Sequence, residues 1–263
     1  MHKITATINQ ISDYLGDLLS VSSFEDSSLN GLQVESHQDI GKIAACVDFS
    51  SSIAEKSHQE GAGTIICHHG LIWGKLGPIT GALASTLQYL FSNKINLIAL
   101  HLPLDAHETF GNNAIIAKEI LQLSDVTPEL KFGTNPTNKK CLGFIGNNSN
   151  KTPLKAMTEL FCGLPGSLDK PLTLNFGPST PQNVAVISGA GADALYQFKD
   201  SGFDTLITGE PRQFAYHFCK ENKLNAIFAG HYATETFGVR KLSQHLAEKY
   251  STSWIFIDEP TGI

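Results

Sequence analysis

The sequence predicts an α/β protein made of two similar halves, each a sheet covered by helices. Three observations support this prediction: short apolar runs alternate with amphipathic segments, the order of elements in the first half recurs in the second, and histidines gather at predicted strand ends. With 263 residues, 41% of them hydrophobic and 17% charged, the chain has the composition of a globular protein with a sizeable core. These proportions exclude disordered, collagen-like and coiled-coil chains.

The first half begins with a predicted amphipathic helix, because Ile4, Ile8, Ile11, Leu15 and Leu18 recur at helical spacing. Later elements are assigned by the same rule, with continuous apolar runs read as strands and spaced apolar residues read as helices. They are a strand at 41–49, a helix at 52–59, a strand at 64–67, a helix at 80–91, a strand at 96–100 and a helix at 112–123.

The stretch from Ser124 to Lys140 is rich in Pro, Asn, Thr and Lys and has no apolar period. We therefore place the domain boundary there, with a first half at 1–125 and a second at 126–263, and we leave open whether the last strand stays with the second half or returns to the first. The second half contains predicted strands at 141–145, 172–176, 183–187, 205–208, 224–229 and 253–257, and predicted helices at 153–161, 193–199, 213–220 and 234–249.

An internal echo supports a duplication. The order KIAACVDFS, GAGTIICHH, INLIALHLPLDAHETFG in the first half is similar to NVAVISGAG, GFDTLITGE, LNAIFAGHYATETFG in the second. The match needs gaps, and coincidence among glycine-rich strand ends is the alternative. If the echo is a true repeat, equivalent strand ends of the two halves could face one cleft.

Charge and apolar pattern argue against two classes of function. Lysine and arginine number 19 and aspartate and glutamate 25, so the net charge of −6 argues against electrostatic binding of nucleic acid. The longest apolar runs fall far short of the roughly 20 residues of a membrane-spanning helix. The N-terminus lacks the apolar core of a signal peptide, and the five cysteines form no C-x-x-C pair. We therefore expect a cytoplasmic protein with reduced thiols and no membrane partner.

Two segments at predicted strand ends carry side chains that can bind metal. His68 and His69 follow a strand predicted to end at Cys67, so the chain leaves the strand and both rings can turn towards one pocket. The run HLPLDAH follows the next strand and contains His101 and Asp105. A merely exposed histidine pair is the ordinary alternative for the first segment. For Asp105 that alternative is a helix cap, although it lies far upstream of the next helix.

A third segment completes a set of candidate ligands. If a helix begins at about His231, Glu235 lies one turn later on the same face, which also suits a purely structural His–Glu pair. Two bridging carboxylates with terminal histidines suit a pair of borderline divalent ions such as zinc, iron, manganese or nickel. So few protein ligands per ion leave positions for water, which indicates a catalytic site. The candidate ligands are His68, His69, Asp105, His231 and Glu235.

These segments resemble the NIF-three-like dinuclear metal-centre family, whose bacterial members are labelled GTP cyclohydrolase 1 type 2 homologues. The resemblance covers nearly the whole chain and is carried by CHHGLIW at 67–73, HLPLDAH at 101–107 followed by GNNA at 111–114, TGE at 208–210 and GHYATE at 230–235. A further motif of the family matches Asn30-Gly31-Leu32-Gln33, but Ser28 and Leu29 depart from the residues that usually precede it.

The resemblance implies two intertwined α/β halves, a two-metal site in the cleft between them and a ring-shaped homohexamer. It implies two divalent ions per chain, bridged by Asp105 and Glu235. It also implies that His101 and Glu210 lie beside the metals and either hold the ligands in place or transfer protons. The implied metal ligands are the five residues selected above: His68, His69, Asp105, His231 and Glu235.

Two functions remain open on the sequence. The first is metal-dependent hydrolysis of a nucleotide or related small molecule, where the GTP label rests on the resemblance alone because the chain has no P-loop motif. The second is a non-catalytic, metal-binding hexameric scaffold or regulatory interaction protein. Nucleic-acid binding through the hole of a ring is the weakest option, because it needs a basic lining that overcomes a net charge of −6.

Overall fold

The computed structural model describes residues 6–130, 140–166, 170–198 and 201–262. Its fold is mixed α/β with two separate sheets. The chain forms two compact units: unit 1 contains Met1–Leu104 and Val239–Glu259, and unit 2 contains Asp105–Gly238 and Pro260–Ile263. The division thus falls before Asp105 and after Gly238, and the described residues of the predicted boundary, 124–130 and 140, lie within unit 2. Residues 131–139 of that stretch, together with Ile4 of the predicted first helix, lie outside the described residues.

Unit 1 is built on a five-stranded sheet that is parallel except at one edge. Its strands are β1 (Gly31–Val34), β2 (Lys42–Asp48), β3 (Ala62–His69), β4 (Asn96–Ala99) and β11 (Trp254–Phe256), in the order β1-β4-β3-β2-β11. Only β1 runs antiparallel to its neighbour, β4. The central strands are apolar on both faces, as expected of a parallel sheet covered on two sides. The helices are α1 (Ile8–Leu18), α2 (Ser51–Gln59), α3 (Gly81–Ser92), the short α4 (Leu102–Asp105) up to Leu104, and the later turns of α8 (His231–Tyr250).

The helix starts in unit 1 follow from local sequence. Thr7 caps α1 by accepting a hydrogen bond from the Gln10 backbone N–H, while the Gln10 side chain accepts one from the Thr7 N–H. The Ser50 hydroxyl accepts a hydrogen bond from the Ile53 N–H in the same way at the start of α2. Ile8, Ile11 and Leu15 of α1 are fully buried, which confirms the predicted amphipathic pattern.

Strand β3 is longer than predicted. Its parallel ladder with β2 continues to the pair Asp48 and His69, so both histidines of the doublet belong to the strand. The expectation that the chain leaves the strand after Cys67 is therefore wrong. The alternation of a strand places His68 in the buried interior and leaves His69 half-buried.

Unit 2 is built on a six-stranded mixed sheet. Its strands are β5 (Ser124–Leu130), β6 (Gly143–Asn147), β7 (Leu172–Asn175), β8 (Asn183–Val186), β9 (Thr205–Thr208) and β10 (Asn225–Phe228), in the order β5-β6-β8-β9-β10-β7. The three central strands β8, β9 and β10 are parallel to one another. The helices are α5 (Asn112–Ile115), which continues as a π-helical segment at Ile116–Ile120, α6 (Leu154–Glu159), a 3-10 helix at Gly191–Phe198, α7 (Gln213–Asn222) and the first turns of α8.

Strand β5 was not predicted, because its residues lack an apolar period. It pairs only with β6 at the edge of the sheet, most of its residues are exposed, and Pro128 is tolerated at such an edge. The predicted helix at 193–199 is a 3-10 helix up to Phe198, and Lys199 lies outside the described residues. Helix α8 begins at His231, three residues before the predicted helix at 234–249.

Each unit has its own core. In unit 1 the buried residues include Ile65, Cys67, Leu97 and Ala99 of adjacent strands, and in unit 2 they include Phe144, Val186, Ile207 and Ile227. None of the helices in the described residues combines the length and the apolar character that a membrane span requires.

Candidate metal centre

Unit 1 contains an imidazole cluster, formed by His68, His69 and His101. His68 and His69 end β3, and His101 lies just after the neighbouring strand β4. The ring centroids are 4.8 to 5.4 Å apart, and one potential ligand atom of each ring lies within 4.8 Å of the other two. Carboxyl ends of parallel strands meet at one edge of a sheet, so the cluster follows from the topology.

Each ring of the imidazole cluster has its Nδ1 atom beside an oxygen acceptor. His68 Nδ1 lies 2.8 Å from the Leu100 carbonyl oxygen, His69 Nδ1 lies 2.8 Å from Asp48 Oδ1, and His101 Nδ1 lies 2.9 Å from Asp26 Oδ1. These oxygens only accept hydrogen bonds, so Nδ1 of each ring carries the proton. In a neutral ring Nε2 then keeps its lone pair, which is the arrangement that oriented metal ligands require.

The Asp26 side chain is only 3% exposed and is heavily hydrogen-bonded. Besides His101, it accepts hydrogen bonds from the Ser28 N–H at 3.0 Å, the Asn30 side chain at 2.9 Å and the Leu102 N–H at 3.1 Å. Burial alone would raise the pKa of this carboxyl, but the hydrogen bond and charge of His101, with the hydrogen bonds of Asn30 and Ser28, lower it from 3.8 to about 2. Asp26 therefore stays ionised at neutral pH, and in this charged form it holds the His101 ring.

The turn after the histidine doublet is fixed by Gln33. Its Oε1 accepts hydrogen bonds from the Leu71 N–H at 2.7 Å and the Ile72 N–H at 3.0 Å. A Cβ at Gly70 would lie 2.4 Å from the Ala99 side chain and 2.6 Å from Gln33, so only glycine fits. This contact gives the Asn30-Gly31-Leu32-Gln33 motif a role: Asn30 binds the His101 backbone and Gln33 binds the turn.

Unit 2 contains a carboxylate cluster, formed by Asp105, Glu210, His231 and Glu235. Helix α8 begins at His231, and His231 Nε2 lies 3.1 Å from Glu235 Oε2 one turn later, which confirms the predicted spacing. Glu210, just after β9, contacts Nδ1 of the same ring. Carboxylate oxygens of Asp105 and Glu235 lie within 4.8 Å of each other, and both side chains are buried.

The two glutamates change the titration of His231. Burial alone would lower the pKa of the imidazole, but the hydrogen bonds and charges of Glu235 and then Glu210 outweigh burial and raise the pKa to about 9. Without a cation, His231 is therefore the positive charge of the carboxylate cluster at neutral pH.

Gly189, just after β8, gives the carboxylate cluster its space. Its φ is +60°, and a Cβ there would lie 2.3 Å from Glu235 Oε1 and 3.1 Å from His231 Nε2. The Gly189 carbonyl accepts hydrogen bonds from the Gly209 and Glu210 N–H groups. These hydrogen bonds connect the chain just after β8, which carries Gly189, to the chain just after β9, which carries Glu210.

His107, the second histidine of HLPLDAH, has a local role. Its Nδ1 accepts hydrogen bonds from the N–H groups of Thr109 and Phe110, each at 3.1 Å. The ring therefore stabilises the turn that leads into α5.

Sequence reasoning missed the residues that orient the candidate ligands. Asp48 ends β2 beside His69, and Asp26 lies 75 residues from its partner His101. Ser188 and Asn112 donate hydrogen bonds to Asp105. Only Asp48 had a usable signal, because it is a carboxylate at the end of a predicted strand.

Known proteins are similar to this chain over nearly its whole length. The family model Duf34/NIF3 (NGG1p interacting factor 3) matches residues 6–261, which confirms the family inferred from the motifs. An Archaeoglobus fulgidus protein named "GTP cyclohydrolase 1 type 2 homolog" is 36% identical over 254 residues, covering 97% of this chain and 98% of its own. An Escherichia coli K12 protein of the same name is 32% identical over 257 residues, covering 95% and 97%.

Solved structures agree with these sequence matches. The protein TTHA1606 from Thermus thermophilus is 38% identical with a TM-score of 0.84, covering 97% of this chain and 99% of its own. The protein ybgI, described as of unknown function, is 31% identical with a TM-score of 0.86, covering 98% and 100%.

Proposed function

The chain belongs to the Duf34/NIF3 family, and from this membership and the chemistry of its two clusters we propose that it binds a pair of divalent metal ions and hydrolyses a nucleotide or related small molecule. The observation that carries the proposal is the hydrogen bonding of the imidazole cluster. An oxygen acceptor occupies Nδ1 of all three rings, so Nε2 carries the lone pair that a metal ion requires.

The donor set fits borderline divalent ions. Unit 1 offers imidazole nitrogens, and unit 2 offers two buried carboxylates and a further imidazole. Zinc, iron, manganese and nickel accept such mixed nitrogen and oxygen ligands. In this proposal, as the family resemblance implies, the five ligands serve one dinuclear centre in which Asp105 and Glu235 are shared. They are His68, His69, Asp105, His231 and Glu235.

The residues beside the ligands have separate tasks. A pair of bound divalent ions supplies Lewis acidity and a reactive nucleophile from water at neutral pH. Glu210, in contact with His231 Nδ1, orients that ring and can accept a proton. His101, held by Asp26, presents Nε2 to the imidazole cluster and is the second group that can take up a proton. GTP is the first substrate to test, because relatives are named GTP cyclohydrolase 1 type 2 homologues.

The finer architecture belongs to the same proposal. Each sheet contains three consecutive parallel strands, β2-β3-β4 and β8-β9-β10, which supports the internal duplication. The family resemblance supports a ring-shaped homohexamer in the cytoplasm. Light scattering coupled to gel filtration tests the assembly, and a mass six times that of one chain is expected.

The test of the metal site is elemental analysis of protein purified without a chelating tag. We expect about two ions per chain, and loss of both in Asp105→Ala because a shared ligand is removed. Asp17→Ala, an exposed aspartate of α1, is the control and should keep both ions. No metal after purification and titration would overturn the proposal, and retention of one ion in Asp105→Ala would contradict the shared role.

The test of the reaction follows with the metal that is found. We expect conversion of GTP or of another nucleotide by the metal-loaded protein, and none by Asp105→Ala. Two bound ions without turnover in a broad hydrolase screen would reject hydrolysis and favour a non-catalytic scaffold.

A further inference from the structure

Two buried side chains hold one oxygen of the Asp105 carboxylate. Asp105 Oδ1 accepts a hydrogen bond from Asn112 Nδ2 at 2.8 Å and a second from Ser188 Oγ at 3.1 Å. Asn112 is fully buried, and Asp105 and Ser188 are each 6% exposed. Both donors therefore act away from bulk water, where hydrogen bonds to a charged oxygen are strong.

The orientation of the Asn112 amide is fixed by its second contact. Asn112 Oδ1 accepts a hydrogen bond from the Gly238 N–H at 2.7 Å, and Gly238 lies in α8 one turn after Glu235. Because a backbone N–H only donates, the amide oxygen must face Gly238 and the NH2 group must face Asp105. A flipped amide would lose both hydrogen bonds.

Ser188 is fixed from its backbone side. Its N–H donates to Asn113 Oδ1 at 2.6 Å, and Asn113 Nδ2 donates to the Leu142 carbonyl at 2.8 Å. Asn113 is fully buried, so Ser188 cannot retreat without breaking a chain of buried hydrogen bonds.

We propose that Asn112 and Ser188 restrict Asp105 to metal coordination through a single oxygen, Oδ2. A carboxylate oxygen has two lone-pair directions, and the two donors occupy both of them on Oδ1. An ion that bound Oδ1 as well would have to displace a buried donor. The inference rests on the proposed metal centre and adds the mode in which its shared aspartate binds.

One-oxygen binding has a chemical consequence. A carboxylate that binds an ion through both oxygens uses two coordination positions, and one that binds through one oxygen uses a single position. Asn112 and Ser188 thus act as positioning residues that keep a further position open for water or substrate. Since Asn112 also binds α8 near Glu235, it sets the spacing of both carboxylates.

The experiment uses full-length protein loaded with Co²⁺, whose visible absorption weakens as the coordination number rises. Ser188→Ala removes one donor and opens a lone pair of Oδ1, so we expect weaker absorption at unchanged metal content. Ser243→Ala, another buried serine, on α8, is the matched control and should leave the spectrum unchanged.

A second variant pair tests Asn112. Asn112→Asp keeps the acceptor for Gly238 but replaces the donor to Asp105 by an oxygen, so we expect Co²⁺ affinity to fall by about 10- to 100-fold. Asn225→Asp, an equally buried amide of unit 2 whose side chain bonds the Gly177 N–H and the Pro178 carbonyl, should retain affinity within about threefold of the wild type, measured beside its folding stability.

Different outcomes overturn different statements. If wild type binds no Co²⁺, the proposed metal centre fails and this inference with it. If wild type binds Co²⁺ while Ser188→Ala and Asn112→Asp match it in spectrum and affinity, only the one-oxygen restriction is wrong. A crystal structure of the cobalt-loaded protein with both Asp105 oxygens on an ion would overturn it directly.

Discussion

The imidazole cluster of unit 1 and the carboxylate cluster of unit 2 are both built at strand ends, but they are held in opposite ways. In unit 1, oxygen acceptors bind the Nδ1 atoms of three histidines. In unit 2, N–H and O–H donors bind one oxygen of Asp105, and the carboxylates of Glu210 and Glu235 bind His231. Each unit therefore orients its candidate ligands with groups of complementary polarity.

The difference assigns separate tasks to the two clusters. An imidazole that binds a metal ion brings no negative charge to offset that of the ion, whereas two buried carboxylates bind it and offset its charge. Glu235 and Glu210 raise the pKa of His231 to about 9. In the absence of a metal ion, the protonated His231 ring therefore supplies the positive charge beside these carboxylates. Removing a carboxylate charge from unit 2 should therefore weaken cation binding most.

The largest expected effect comes from removing a charge in unit 2. Glu235→Gln keeps the shape of the side chain but removes an anionic ligand, so we expect metal affinity to fall by at least about 1,000-fold, since loss of a supporting group alone costs about 10- to 100-fold. Glu248→Gln, an exposed glutamate on the same helix, is the control. Isothermal titration calorimetry with the native metal measures the metal affinity of both variants. Equal affinities would show that the charge of Glu235 does not contribute to cation binding, so the two clusters would not differ in this respect.

A smaller effect is expected from filling the space beside Glu235. Gly189→Ala adds a Cβ 2.3 Å from Glu235 Oε1 at a φ of +60°. We expect a loss of about 3 kcal/mol in the free energy of unfolding, the sum of left-handed strain and overpacking.

The control for this variant isolates the backbone strain. Gly163→Ala has a φ of +76° but open space around the Cβ, so we expect it to lose only about 1–2 kcal/mol. Urea denaturation measures both variants. If the two lose the same free energy, contact with Glu235 does not constrain Gly189.

The smallest of the three effects concerns the acceptor of His101 in unit 1. The pKa of Asp26 is lowered from 3.8 to about 2 in the folded protein, so its carboxylate stabilises the fold above pH 4 and loses that contribution as the pH falls towards 2. Asp26→Asn should cost about 2 kcal/mol at pH 7, at about 1.4 kcal/mol per pKa unit.

The pH dependence separates charge from packing. The stability difference between wild type and Asp26→Asn should be full at pH 7 and pH 5 and should shrink below pH 4. Asp13→Asn, an exposed aspartate on α1, should have little effect at any of these values. A difference that persists unchanged at pH 3 would show that Asp26 acts through shape and not through its charge.

Local spacing made part of the site predictable. His231 and Glu235 lie one helical turn apart, so the start of α8 was enough to place them together. The histidine doublet was predicted to leave its strand, yet the ladder with β2 continues to His69 and the two rings still lie 4.8 Å apart. Their approach depends on the tilt of the rings at the strand end, which a sequence pattern does not specify.

Contacts between distant residues were not predictable from the sequence. Asp26 meets His101 across 75 positions of the chain, and Ser188 meets Asp105 across 83. The edge strand β5 was missed for a related reason, because its exposed residues carry no apolar period and its pairing with β6 alone defines it. Hydrogen-bond partners of this kind are selected by three-dimensional proximity.

The sequence by itself determined the alternation of strands and helices, the family, and the types of side chain that gather at the strand ends. Only the tertiary structure decided which atom of each side chain can serve as a ligand. Leu100, Asp48 and Asp26 occupy Nδ1 of the three imidazoles, and Asn112 and Ser188 occupy Oδ1 of Asp105. The physical reason is that each imidazole has two nitrogens and each carboxylate two oxygens that could bind a metal. The hydrogen bond made by one of them leaves the other as the ligand, and the hydrogen-bond partners come from elsewhere in the fold.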